Sequence, residues 1–203
     1  MRQPLQARSV ATRMALLDAT VDGLCRSGYC DLTTNDIARR AGVSRGALLH
    51  HFPSKADLVG AAVEHVLRRR LDQFTQALAT LSPSADIVDA AIDAVWSMFD
   101  GQAFVAWAEL WVAARTDPAL SAVMLDVEQR FTEQSRGSAV EVFGGIGTFP
   151  VEALSLVRDF IFAVMNGLAL ERLVPRQRRP PAEYLAVLKA TVRGLLDTNR
   201  TVT

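Results

Sequence analysis

The residues best suited to meet a polyanion lie in one short run, Ser44-Arg45-Gly46-Ala47-Leu48-Leu49-His50-His51. A guanidinium such as that of Arg45 can hold guanine O6 and N7 together, a pairing worth about 1–3 kcal/mol of discrimination between bases. Gly46 has no side chain, which lets backbone come close to a phosphate or a base edge. Wound as a helix, the run presents Ser44, Arg45, Gly46, Leu49 and His50 on one side and turns Val43, Ala47 and Leu48 inward. The histidines do not read as a metal set. Neighbours on a helix diverge by about 100°, which separates His50 from His51. No Cys or carboxylate completes a ligand spacing with either of them or with His65. Cys25 and Cys30 suit neither a disulfide framework nor a zinc knuckle and read as small apolar fillers. With no nucleophile elbow and no Gly-rich phosphate loop, an enzyme is not expected.

A recognition surface of this kind needs a stiff rod held by neighbours. The eight prolines can all sit outside helix interiors, and the stretches between them read as helices at about 9–26, 34–41, 44–51, 54–81, 85–99, 102–116, 118–142, 151–173 and 182–198. The expected fold class is all-α, with about nine helices. Val10, Met14, Leu17, Val21 and Leu24 form one stripe on the first helix, which Gly28 ends. Thr33 caps the second helix, with Asp36 answering from the third position and Leu32 and Ile37 as the apolar staple. Gly42 stops that helix after two turns, and Ser44 caps the next, with Val43 and Leu48 as its staple. Ser54 caps a long fourth helix, with Asp57 three residues on. Two short helices joined by Ala-Gly-Val-Ser spell a helix-turn-helix, the second rod sized for a major groove. The other reading of the same spacing is a helical hairpin of an unrelated domain. The GGIGTFP run at 144–150 and the basic VPRQRRPPA segment at 174–182 read as connectors.

The rest of the chain is rich in large apolar side chains. Trp96, Phe99, Phe104, Trp107 and Trp111 crowd into one stretch, and Phe131 and Phe162 follow further on. They read either as ordinary core or as the lining of a ligand cavity with few polar groups. Glu109, Asn166 and Arg158 are candidates to orient a guest, and Glu109 reads equally as a surface acid. Residues 151–173 are apolar on more than one face. With the last helix, they fit a four-helix interface between two copies through Leu154, Phe160, Ile161, Gly167, Leu188, Val192 and Leu195. The alternative is a monomer that covers the same faces internally.

The whole chain, 203 residues with 22 basic and 22 acidic side chains, is formally neutral. The neutrality hides an asymmetry: residues 1–56 carry net +4 and the remainder net −4. A cationic head on an acidic body invites a polyanion at one end. The longest uncharged apolar run, Phe160–Leu170, is too short to span a bilayer. The first residues scatter Arg and Asp and hold no apolar core. A soluble cytoplasmic protein without membrane contact is expected.

The stretch from Leu16 to Leu58 carries Gly28-Tyr29, Thr33 to Ala38, Ala41-Gly42-Val43-Ser44, Gly46, Leu48, His51-Phe52 and Ser54-Lys55 in register. It resembles the DNA-binding head of TetR-type transcriptional repressors. The resemblance implies a head at 1–56 and a helical ligand-binding and dimerisation domain at 57–203. It further implies a homodimer joined by its last two helices on a palindromic double-stranded operator, released by a small effector of unknown identity. Carried onto this chain, it sets Thr33 and Thr34 at phosphate, Ser44, Arg45, Ala47 and His50 at base edges, His51 near phosphate, and Lys55 on a phosphate at the start of the fourth helix. No cofactor or metal is implied. The family often carries an aromatic hydroxyl where this chain has Leu49, so an apolar contact is expected there, for example to a thymine methyl. The competing function is a helical protein-interaction adaptor that does not bind DNA.

Overall fold

The computed structural model describes residues 5–79, 86–99, 101–143, 151–174 and 179–200. These residues form nine helices and no strand: α1 (Leu5–Asp31), α2 (Thr34–Arg40), α3 (Arg45–His51), α4 (Lys55–Ala79), α5 (Ile87–Met98), α6 (Gln102–Ala114), α7 (Pro118–Phe143), α8 (Val151–Arg172) and α9 (Pro181–Arg200). The all-α expectation holds. The 144–150 run and residues 175–178 of the basic connector lie outside the described residues.

Packing divides the chain into two units. The first combines residues up to 68 with 101–131, and the second combines 69–100 with residues from 132 onward. The division expected between residues 56 and 57 falls in the first turn of α4, and α6 packs with the N-terminal helices rather than with the later ones.

The first unit is built around Leu16, Leu17 and Leu24 of α1, which meet Ile37, Leu48, Leu58, Val59 and Val63 of α2 to α4 and Leu110 of α6 in one core. Val10, expected in the buried stripe, is 60% exposed. The core packs against this stripe from Met14 onward. Gly28 interrupts α1 at φ 69° and ψ 177°, and one further turn follows the break. That backbone region is essentially closed to side-chain-bearing residues.

Local hydrogen bonds shape the turns of the head. Thr33 Oγ1 accepts from the Asp36 amide at 3.1 Å, and Ser44 Oγ accepts from the Ala47 amide at 3.2 Å. At Ser54 the box is reciprocal: the Asp57 amide donates to Ser54 Oγ at 3.0 Å, and the Ser54 amide donates to Asp57 Oδ2 at 3.2 Å. Such caps satisfy amide donors that the helix itself leaves unpaired. Between α2 and α3, the Val43 amide donates to the Ala38 carbonyl at 3.0 Å and the Gly42 amide to the Arg39 carbonyl at 3.2 Å. Gly42 has φ 67°, completing a Schellman turn that reverses the chain tightly.

In the second unit α9 packs on α5 and α8. Arg193 of α9 grips both Asp86 at 2.7 Å and Asp89 at 2.5 Å, and Lys189 reaches Asp93 at 2.7 Å. Asp86 also caps α5 by accepting from the Val88 and Asp89 amides. No described helix is long and apolar enough to cross a membrane.

Candidate nucleic-acid interface and apolar cavity

The outward face of α3 follows from what its inward face buries. Leu48 is 0% exposed, closed in by α1, α2 and α4 side chains, whereas Leu49, one residue on, is 42% exposed. Ser44, Arg45, Gly46 and His50 are exposed with it. Ala47 is half-buried at the edge of this face. The nearest atom to a Cβ built at Gly46 would be Ser44 Oγ at 3.9 Å, so the space in front of the backbone is open.

Three other cations in the head are already paired. Asp22 binds Arg26 and Arg40, each at 2.8 Å, which braces α1 against α2 and holds the Asp22 carboxyl below the usual range. Asp36 binds Arg39 at 2.5 Å. Arg45 has no such partner among the described residues.

The flanking residues are placed more variously. Thr33 is exposed, but its hydroxyl is committed to Asp36, accepting from the amide and donating to Oδ2 at 2.5 Å. Thr34 is half-buried beside it. His51 is half-buried, its ring 5.7 Å from that of His50 and 6.4 Å from that of Phe52. Lys55 is not a free cation. Its Nζ donates to the Tyr29 carbonyl at 2.5 Å and lies 4.0 Å from the Tyr29 ring centroid. Burial pushes the ammonium below its ordinary range. One donor bonded to Tyr29 leaves two on the ammonium.

Tyr29 itself has a role that its place in the sequence does not assign. Its hydroxyl donates to Asp117 Oδ2 at 2.9 Å, and burial with that bond pushes its phenol up to about 12. Only the Gly-Tyr pairing hinted at it, and the partner stands far away in sequence.

Within the second unit lies an apolar cavity of about 50 Å³, walled by the end of α4 and by α5, α7, α8 and α9. At about 10–15 Å³ for one water, that is room for a few waters or a small apolar group. Leu71, Ile92, Met98, Leu154, Ile161 and Val192 are among the fifteen described lining residues, of which only Ser135 and Arg158 are polar. Arg158 is buried: Nη1 donates to the Thr132 carbonyl at 2.9 Å and to Ser135 Oγ at 3.1 Å, and Nε donates to Asp159 Oδ1 at 2.9 Å.

Of the aromatic residues expected to line a cavity, Phe162 alone does so, and of the expected orienting groups Arg158 does. Phe104, Trp107, Glu109 and Trp111 belong to the first unit, because α6 packs on α1, and Phe131 of α7 belongs to it too. There Phe104, Trp107 and Trp111 stack at 5.7 and 5.8 Å, and Trp111 is 54% exposed. Glu109 is exposed and stands over Gly28. Trp96 and Phe99 stack at 6.4 Å outside the cavity, and Asn166 is half-buried away from it. Ser135 carried no sequence signal, since a lone Ser in a long helix looks like surface.

The interface residues divide in the same way. Leu154, Ile161, Leu188 and Val192 are covered within the protomer, three of them as cavity wall. Phe160, Gly167 and Leu195 are exposed. Exposed Leu156, Phe160, Ala163, Gly167 and Leu170 recur at steps of three and four along α8, giving one uncovered apolar stripe.

Comparison with known proteins accords with this architecture. Residues 16–62 match the model of bacterial regulatory proteins of the tetR family, and residues 85–197 match that of the BetI-type transcriptional repressor C-terminal region. An uncharacterized HTH-type transcriptional regulator of Mycobacterium bovis is 30% identical over 94% of this chain and 97% of its own length. The HTH-type transcriptional regulator CymR of Pseudomonas putida is 31% identical over 85% of this chain and 84% of its own. The solved structure of a transcriptional regulator from Rhodococcus sp. Rha1 superposes with a TM-score of 0.66 at 25% identity, covering 94% of this chain and 99% of that one. A capped helix-turn-helix with its second helix turned outward, in a chain matched along nearly its full length by such regulators, has one reading: it is a transcriptional regulator rather than an enzyme, and it belongs to the tetR family.

Proposed function

We propose that the chain is a ligand-responsive repressor that works as a homodimer. Each copy lays α3 in a major groove of a palindromic operator, with residues 1–56 as the DNA-binding domain and 57–203 as the ligand-binding and dimerisation domain. The observation that carries this reading is the contrast on α3, where Leu48 is sealed in the core while Arg45, Leu49 and His50 face solvent. Arg45 reads a base, Ser44, Gly46, Ala47, Leu49 and His50 follow the groove, and Thr33, Thr34, His51 and Lys55 meet flanking phosphate. The uncovered α8 stripe, with Tyr184, Val187 and Leu195 exposed on α9, supports pairing of two copies. A small apolar or amphipathic molecule enters the cavity of the second unit and lowers operator affinity. The cavity is small as it stands, so an effector of any size must displace its walls.

The test begins with selection of bound fragments from genomic DNA. A palindromic fragment is then titrated by fluorescence anisotropy at several salt concentrations. Affinity should fall steeply with salt, because each phosphate neutralised releases a counterion. Failure to enrich any palindrome, or binding indifferent to salt, favours the adaptor reading and overturns this one.

A further inference from the structure

We infer that the cavity of the second unit takes an amphipathic monocarboxylate whose head group replaces Asp159 on Arg158. The inference rests on the proposed effector role of that cavity and names the class of effector.

The argument begins with a charge in an unusual place. A guanidinium does not lose its proton in a protein, so a buried Arg is a fixed positive charge. Arg158 is 9% exposed and stands in a wall that is otherwise apolar except for Ser135. No carboxylate is among the described lining residues. A cationic guest would meet the guanidinium with only Asp159, itself largely in solvent, to offset the repulsion. A neutral alcohol would gain little from Arg158. A carboxylate would otherwise lose its hydration without compensation, and here it meets a charged donor already in position.

The guanidinium is oriented before any guest arrives. Nη1 is held from α7 by the Thr132 carbonyl and Ser135 Oγ, and Ser135 is itself held by donating to the Thr132 carbonyl at 3.0 Å. The other edge, Nε and Nη2, binds Asp159. The two ends of that ion pair differ sharply: the Arg158 side chain is 10% exposed and that of Asp159 is 55% exposed. Asp159 follows Arg158 directly on α8, so its own direction diverges from that of Arg158 by about 100°. It can return to water at little cost, whereas Arg158 cannot. The pair is thus a preformed anion site with a replaceable occupant, and the apolar wall, which must part to widen a cavity of about 50 Å³, accepts the guest's tail.

Three probes share a tail and differ in head charge: octanoate, 1-octanol and octyltrimethylammonium. Calorimetric titration of the full chain should give octanoate an affinity about tenfold or more above that of 1-octanol, as for a hydrogen bond to a charged group, with octyltrimethylammonium weakest. Arg158→Met should abolish the octanoate advantage and leave 1-octanol unchanged. Should Arg158→Met fail to fold, Asp159→Asn decides, because removing the competing anion should tighten octanoate several-fold without affecting 1-octanol. The inference is overturned if octanoate and 1-octanol bind alike, if the ammonium binds best, if none of the three binds, or if Asp159→Asn leaves octanoate affinity unchanged.

Operator release, read by anisotropy with the same probes, separates this inference from the reading beneath it. Octanoate that binds with the stated preference but releases no DNA removes the effector role and leaves the carboxylate site standing. Release by 1-octanol as strong as by octanoate does the reverse.

Discussion

The Tyr29 hydroxyl donates to the Asp117 carboxylate at 2.9 Å, joining the turn after Gly28 to the residue that caps α7. The Leu120 amide first, and Tyr29 second, hold the Asp117 carboxyl below its ordinary range, while burial and Asp117 push the Tyr29 phenol up to about 12. A Tyr with a raised folded-state value stabilises fully below its unfolded value of about 10. That stability is lost as pH climbs toward 12. The Asp117 contribution runs the opposite way: it is present above the unfolded carboxylate value and lost as pH falls through the folded one. Denaturant midpoints recorded against pH should therefore decline on the alkaline side in the wild type, and Tyr29→Phe should flatten that decline. With two tyrosines in the chain, the tyrosinate absorbance difference between the two proteins isolates Tyr29.

Leu48 and Leu49 are adjacent and should behave as opposites. Leu48→Ala removes a fully buried side chain and should cost about 2–5 kcal/mol of unfolding free energy. Leu49→Ala should stay within about 0.5 kcal/mol of wild type in the same denaturant series, as for an ordinary surface change. Only the second substitution should yield a stable protein with altered operator preference.

Arg45→Ala should relax preference at one base position per half-site, a loss of about 1–3 kcal/mol against the preferred base. Lys55→Ala should weaken all duplexes alike and lower the salt slope by about one. Competition binding with single-base operator variants measures the first, and a salt series the second. An unchanged slope would assign Lys55 wholly to its bond with the Tyr29 carbonyl.

Two glycines should tolerate no methyl group. Gly28→Ala forces a side chain onto φ 69° with its Cβ 3.0 Å from Glu109 Oε2, at a cost of about 1–3 kcal/mol. Gly60→Ala would place a Cβ 2.1 Å from Val123 Cγ1, an overpacking of about 1–3 kcal/mol. Thermal melts should show both lowered, with helicity retained below the transition.

Phe160→Glu should shift the chain toward monomer in sedimentation velocity without lowering protomer stability, since the ring is 41% exposed. Leu188→Ala should instead destabilise the protomer, because that side chain is covered within it. A Phe160→Glu protein that sediments as the wild type does would remove α8 from the pairing surface.

The head was legible in the sequence because its determinants are local. The caps at Thr33, Ser44 and Ser54 each close within three residues, and Gly42 marks its turn by itself. Helix positions in the body followed from proline punctuation. The cavity did not follow, because aromatic density along α6 says nothing about which neighbour that helix chooses. Packed on α1, α6 places Phe104, Trp107 and Trp111 in the first unit, whereas the aliphatic wall around Arg158 belongs to the second. Tyr29 with Asp117, and Arg158 with Ser135, are long-range pairs that no spacing reveals. At α8 the apolar excess was visible, but only coordinates divide it into Leu154 and Ile161 facing in and Phe160 and Gly167 facing out.

The outward side of α3 takes no part in folding its own helix. The Ser44 cap lies at one end, Leu48 anchors beneath, and Arg45 forms no ion pair among the described residues. Residues 45, 49 and 50 can therefore be exchanged with small thermodynamic consequence. Descendants of this chain are free to drift toward new DNA addresses through single substitutions, without first acquiring compensating changes elsewhere.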